Sequence, residues 1–328
     1  MMADDLTTSD AWVPPHPVAR DDVTEMLHGA YDLHVHSGPD RRPRRYDALD
    51  LMRGYAAAGM AGAVVKDHFL PTVGRTHLLN RLLPEFRSFS TCVLNASIGG
   101  LNPAAVESAL DAGVRYFIMP TVSAAHYRRY EGHPPLDAGS WPDITVLDGQ
   151  DRLTPATSAV LDALQGHDVV LASGHLSPHE TRVLFREAHS RGLRRLVVTH
   201  ASIDFIDMPM EIQRELAALG AVIEHAYVSA LFNRPVGLDR MWYQMRELGL
   251  GSCYLASDLG QPHNPAPLDG WRAALGGLLA LGATKDDVAQ LVRDTPGGVV
   301  DGLPKFAGSW IPDGWTPDGE APATGARS

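Results

Sequence analysis

Eight short apolar runs, separated by longer amphipathic stretches, constrain this 328-residue chain more than any other feature. The runs are 30–35, 61–65, 91–96, 114–119, 168–172, 196–199, 221–224 and 253–256. Each is rich in Val, Ile, Leu, Ala or aromatic residues and does not alternate with polar positions, as expected of strands covered on both faces. Amphipathic segments fall between them, many with stop or start signals. Residues 47–58 end at Gly59, 103–112 open after Asn102 and end at Gly113, and 178–191 follow Ser177 with Pro178 and Glu180, a capping box with Pro at the first helical position. Residues 210–219, 238–248 and 285–293 are further helices. The alternation reads as repeated βα units on a parallel sheet, and eight of them predict an α/β fold, a (β/α)8 TIM barrel. A doubly wound open sheet is the alternative.

The rhythm breaks once, between Thr121 and Thr154, where Pro134, Pro135, Gly139 and Pro142 mark a long loop after strand four. The expected division is an N-terminal extension over 1–29, the barrel over 30–303, and a Pro- and Gly-rich tail over 304–328. The net charge of −11 disfavours nucleic-acid and anionic membrane partners. No apolar run has the length of a membrane span, and the polar start lacks the form of a secretory signal. Cys92 and Cys253 lie in strand-like runs and read as core thiols, so a cytoplasmic location is expected.

The polar residues at the strand ends carry the chemistry. Asp32-Leu33-His34-Val35-His36 ends the first run, and alternation places His34 and His36 on one side of it. Strand five ends in Ser173-Gly174-His175, strand six in Thr199-His200, strand seven in Glu224-His225, and strand eight in Ser257-Asp258. A single buried histidine is usually a satisfied core residue. Histidine or aspartate on five strand ends, which a parallel barrel gathers at one mouth, is hard to explain by packing. Imidazole with carboxylate suits a divalent ion: zinc foremost, with manganese, iron or nickel as alternatives, and one or two ions.

This pattern resembles the amidohydrolase superfamily, in which His-x-His lies on strand one, single histidines end strands five and six, and an aspartate ends strand eight. The segment from Asp294 to Leu303 is loosely similar to that superfamily's closing motif. Val65-Lys66-Asp67-His68, the stretch from Leu94 to Pro103, and Ser173 to Pro178 look like a branch of unassigned function. The resemblance implies metal binding by His34, His36, His175 and Asp258. It makes His200 a second-metal ligand or a partner of the reacting water. A carboxylate on the metal can also be a general base, so Asp258 is the candidate proton carrier. It names no substrate.

The chain departs from the pattern at strand four, which ends Met119-Pro120-Thr121 without the bridging lysine or glutamate of binuclear members. Lys66, ending strand two, is one of only three lysines, with Lys285 and Lys305. Lysine, unlike arginine, can lose its proton, and so serve as a base or take up carbon dioxide as a bridging carbamate. A plain ion pair with Asp67 or Asp258 is the simpler reading. His68, Asn95, His126 and His225 are candidate substrate contacts. Arg42, within the cluster Arg41 to Arg45 after strand one, and Arg75 are candidate clamps for an anion.

The expected activity is hydrolysis of an amide, lactone or other cyclic carbonyl bond in a small anionic molecule. A metal-dependent decarboxylase of the same superfamily and a phosphoesterase of the polymerase and histidinol phosphatase type are the alternatives, and a metal-binding scaffold without catalysis is the non-enzymatic one. Self-association is left open.

Overall fold

A computed structural model describes residues 20–130, 141–232 and 237–304. Most of the N-terminal extension, the prolines at 134 and 135, Gly139, Lys305 and the C-terminal tail lie outside them.

Eight parallel strands follow one another in chain order: β1 (Tyr31–His36), β2 (Gly62–Lys66), β3 (Arg87–Val93), β4 (Tyr116–Ile118), β5 (Val170–Ala172), β6 (Arg195–Val198), β7 (Val222–Ala226) and β8 (Cys253–Ala256). The first and last meet through a parallel bridge between Val35 and Leu259 and through Asp258 N–H donating to His34 O at 2.7 Å. This closes the expected (β/α)8 barrel. Gly260 makes the closure possible: its φ is +118°, and a Cβ there would sit 1.9 Å from the His36 carbonyl oxygen.

Two hydrophobic layers hold the barrel. Leu33, Val64, Phe89, Ile118, Val170 and Val197 fill its interior, and Val299, Val300 and Leu303 plug the end remote from the strand termini. The segment from Asp294 to Leu303 is therefore a stopper as well as a sequence signature. A larger layer packs strand residues such as Val35, Val65 and Leu255 against the helices. Cys92 and Cys253 are buried free thiols there, as expected.

The helices at Ala48–Ala57, Pro103–Asp111, Pro178–Ser190, Met210–Ala218 and Leu238–Leu248 match the sequence reading within a residue or two at each end. The capping box of Ser177 and Glu180 is formed. Lys285–Ala289 is α-helical, but the chain widens to a π-turn over Gln290–Asp294 before Thr295–Val300. Helices at Val73–Leu82, Pro155–Leu164 and Pro267–Ala280 were not expected. Among the described residues no helix is long and apolar enough to cross a membrane.

Strand three begins earlier than its apolar run suggests. Groups from neighbouring segments satisfy it: Ser88 N–H donates to Asn80 Oδ1, Thr91 N–H to Thr72 Oγ1, and Thr91 Oγ1 to Val65 O.

Candidate metal centre

The first strand does not alternate cleanly. Leu33 packs inside the barrel, so strict alternation would send His34 and His36 outward. The β1–β2 register shifts between Asp32 and Val35, and this irregularity turns both histidines inward. Asp32 faces the helices instead. It accepts from Tyr55 Oη (2.7 Å), Ser257 Oγ (2.6 Å), Trp271 Nε1 (2.9 Å) and the backbone N–H groups of Ser257 and His34. This buried carboxylate locks the strand that carries both histidines to the strand end that carries Asp258.

At the strand ends the expected residues converge. His34 Nε2 and His36 Nε2 lie 3.2 and 3.1 Å from Asp258 Oδ1. His200 Nδ1 stands 3.7 Å from Asp258 Oδ2. The His175 ring centroid lies 5.3 Å from that of His200. His200 and Asp258 both hold positive φ, 55° and 48°, a conformation uncommon outside glycine and often found where function fixes the backbone.

Lys66 is fully buried, and its Nζ lies 2.7 Å from His34 Nε2. It does not pair with Asp67, whose carboxylate meets Arg75 at 3.2 Å. Burial pulls the Lys66 ammonium below the ordinary lysine range and lifts Asp258 above the carboxylate range; their mutual attraction opposes both shifts. Burial also holds His34, His36, His175 and His200 well below the usual histidine range. Burial thus favours the neutral imidazole, the form that binds a metal, around Asp258.

These residues fit a divalent ion. His34 Nε2, His36 Nε2 and Asp258 Oδ1 form one group of mutually close donors, and His34, His200 and Glu224 form another. Imidazole nitrogen and carboxylate oxygen are the donors zinc takes at about 2.0–2.2 Å. Further buried nitrogens, Nδ1 of His36, His175 and His200, have no hydrogen-bond partner.

Above the donors opens a cavity of about 540 Å³, with His36, His68, His175, His200 and Asp258 in its wall. Arg42 and Arg44 line one side, Tyr127, Ile203 and Phe205 another. Arg45 donates to Pro262 O and Asn264 O, joining the arginine loop to the loop after β8. Arg41 lies over the rings of Phe69 and Trp141.

Four expected substrate contacts are placed otherwise. Asn95 is fully buried; it accepts from Thr121 and Ser123 N–H and donates to His68 O, so it ties loops together. His126 Nε2 bonds Phe205 O at 2.6 Å and props the cavity wall from behind. Arg75 donates to Ser37 O and Asp67, beneath the arginine loop rather than in the cavity. His225 points into the helix layer, where its Nδ1 meets Ser202 Oγ at 2.7 Å. The residue that strand seven turns inward is Glu224, which the sequence reading passed over for its neighbour. Strict alternation from Val222, which packs against the barrel interior, was the signal for it.

A (β/α)8 barrel with histidines and carboxylates gathered at the strand ends is the class of protein defined here. Residues 29–224 match a family described as "Family of unknown function (DUF6282)", and the chain belongs to that family. Among solved structures it is similar to an amidohydrolase from Pseudomonas aeruginosa (TM-score 0.58, 10% identity, covering 85% of this chain and 97% of that one). It is also similar to the phosphotriesterase homology protein from Escherichia coli complexed with phosphate in its active site (0.56, 12%, 83% and 98%). A third is a probable 2-pyrone-4,6-dicarboxylic acid hydrolase from Acinetobacter baumannii with citric acid bound (0.54, 11%, 83% and 98%). The (β/α)8 fold expected from the alternating runs is the fold these likenesses share. No curated protein matches the sequence.

Proposed function

We propose that this chain is a metal-dependent hydrolase acting on an amide, lactone or other cyclic carbonyl bond of a small anionic molecule. The observation that carries the reading is the approach of His34 and His36 to Asp258 at the floor of the cavity. These three would hold the ion, with His175 and His200 beside them; zinc is favoured by the donor set. Such an ion supplies Lewis acidity, making water nucleophilic near neutral pH and polarising the carbonyl under attack.

The chain's own groups do the rest. Burial raises the proton affinity of Asp258, which suits it to take a proton from the attacking water and pass it to the leaving group. His200, opposite Asp258 on the cavity wall, is placed to hold that water or the developing oxyanion. Lys66 sets a positive charge beneath His34 that counters the charge on Asp258. Arg42 gives the cavity an anion-binding side, with Arg44 beside it held by Asp40 at 2.6 Å, while Tyr127 and Phe205 offer an apolar face. Phosphate and citric acid in two of the similar structures support an anionic ligand.

A decarboxylase is the second reading. It is favoured by strand four, where Met119, Pro120 and Thr121 supply no bridging carboxylate for a second ion.

A panel of lactones, cyclic amides and carboxylated esters, assayed with and without chelator, tests the proposal. Turnover should vanish on chelation and in His36→Ala. Turnover that survives both contradicts it, and carbon dioxide release without hydrolysis transfers the site to the second reading.

A further inference from the structure

We propose that Glu224 is the positioning residue of this centre: it fixes His34 with its proton on Nδ1 and so leaves Nε2 unprotonated, on the edge of the ring that faces Lys66 and Asp258. The consequence for metal binding rests on the reading above; the tautomer itself does not.

Glu224 is 1% exposed, and both of its oxygens are engaged. Oε1 lies 2.8 Å from His34 Nδ1 and accepts the His200 backbone N–H at 3.2 Å. Oε2 accepts from Tyr254 Oη at 2.8 Å, and that hydroxyl is itself hydrogen-bonded to Tyr116. A backbone N–H can only donate, and a carboxylate can only accept. In this dry interior a bare His34 Nδ1 would set lone pair against lone pair at 2.8 Å; Nε2 also faces a carboxylate oxygen, Asp258 Oδ1 at 3.2 Å, but there the Lys66 ammonium supplies a donor, so the proton belongs on Nδ1. Lys66 Nζ approaches from the other side and donates to Nε2, which agrees with the same tautomer.

The same carboxylate holds the backbone of His200 at its positive φ. One side chain of β7 thereby touches groups from β1, β6 and β8, on a strand whose inward role the sequence reading gave to His225 instead. A carboxylate that receives the far nitrogen of a ligating imidazole orients the ring and raises its basicity. Losing one costs about 10- to 100-fold in metal affinity.

The test uses the full-length protein labelled with 15N-histidine. In the metal-free protein, long-range proton–nitrogen correlations, assigned with His34→Gln, should show His34 protonated on Nδ1. Glu224→Gln keeps the shape but offers an amide donor, and should shift His34 toward the Nε2–H form. It should weaken Co2+ binding by about 10- to 100-fold while leaving the shape of the visible cobalt bands unchanged. Tyr254→Phe, which removes a single hydroxyl, should move both readouts less but in the same direction, and serves if Glu224→Gln does not fold. His34 protonated on Nε2 in the parent, or an unchanged tautomer in both variants, overturns the proposal. Cobalt bands of altered shape in Glu224→Gln also overturn it, because Glu224 would then be a ligand itself. A parent that takes no Co2+ refutes the metal-centre reading, while the tautomer still decides the role of Glu224.

Discussion

Asp258 Oδ1 stands 3.1 Å from His36 Nε2, although the two come from opposite ends of the barrel sequence and meet only because β8 closes on β1. Everything proposed for catalysis passes through that meeting. Asp258→Asn keeps the shape and removes both the charge and the proton acceptor. Turnover should fall by about 10²- to 10⁴-fold, the range of a general base, with the thermal transition little changed. Near-normal turnover in a folded Asp258→Asn protein would remove Asp258 from the mechanism.

Asp32 predicts a stability effect rather than a kinetic one. Its carboxylate accepts hydrogen bonds from Tyr55, Ser257 and Trp271 in a fully buried setting. Asp32→Ala strips the acceptor from several buried donors at once, each costing about 1–3 kcal/mol when left unpaired. The unfolding free energy in urea should drop by at least about 3 kcal/mol. A loss under about 1 kcal/mol would mean that the barrel closure does not depend on this anchor.

The two arginines proposed from sequence should now separate. Arg42 lines the cavity, whereas Arg75 is bound to Ser37 O and Asp67 below it. With an anionic substrate, Arg42→Met should raise KM with kcat little changed, the mark of lost uniform binding. Arg75→Met should lower the melting temperature and leave KM nearly unaltered. The opposite pattern would exchange their roles.

His225 gives a pH prediction. Burial lowers its folded pKa to about 4, against about 6.5 in the unfolded chain. Between those values the unfolded state takes up a proton that the folded state refuses, so stability falls as pH falls through this window. The slope is about 1.4 kcal/mol per pH unit for this one group, and it flattens below pH 4. Urea unfolding at several pH values should show His225→Gln losing that one-proton slope relative to the parent. Equal slopes would show that His225 is not held neutral.

Much of this was legible in the sequence. Strong apolar runs and glycine stops marked the strands and most of the longer helices, because a strand buried on both faces needs such residues. The rim residues His34, His36, His175, His200 and Asp258 were legible because parallel topology carries every strand end to one mouth. The irregularity that turns His34 inward was not, since it depends on the register between β1 and β2 and on no residue type. Glu224 was visible in principle, but His225 beside it drew the functional assignment. Asn95, His126 and Arg75 are polar residues near the mouth whose side chains satisfy loop backbone, and spacing alone does not separate loop ties from ligand contacts. Strand three was misplaced because its polar start is held by Asn80, Thr72 and Val65, which take the Ser88 and Thr91 backbone N–H groups and the Thr91 hydroxyl and lie outside the run itself.

The central claim is that His34, His36 and Asp258 together grip a cation. Purified protein is loaded with excess zinc, desalted, and its metal content measured per chain beside His36→Ala, Asp258→Ala and an Arg75→Met control. The parent and the control should retain about one ion or more, the number a closed donor set of this kind holds, and the two rim variants should retain little. A parent that emerges without metal, or rim variants that retain as much as the parent, would contradict it.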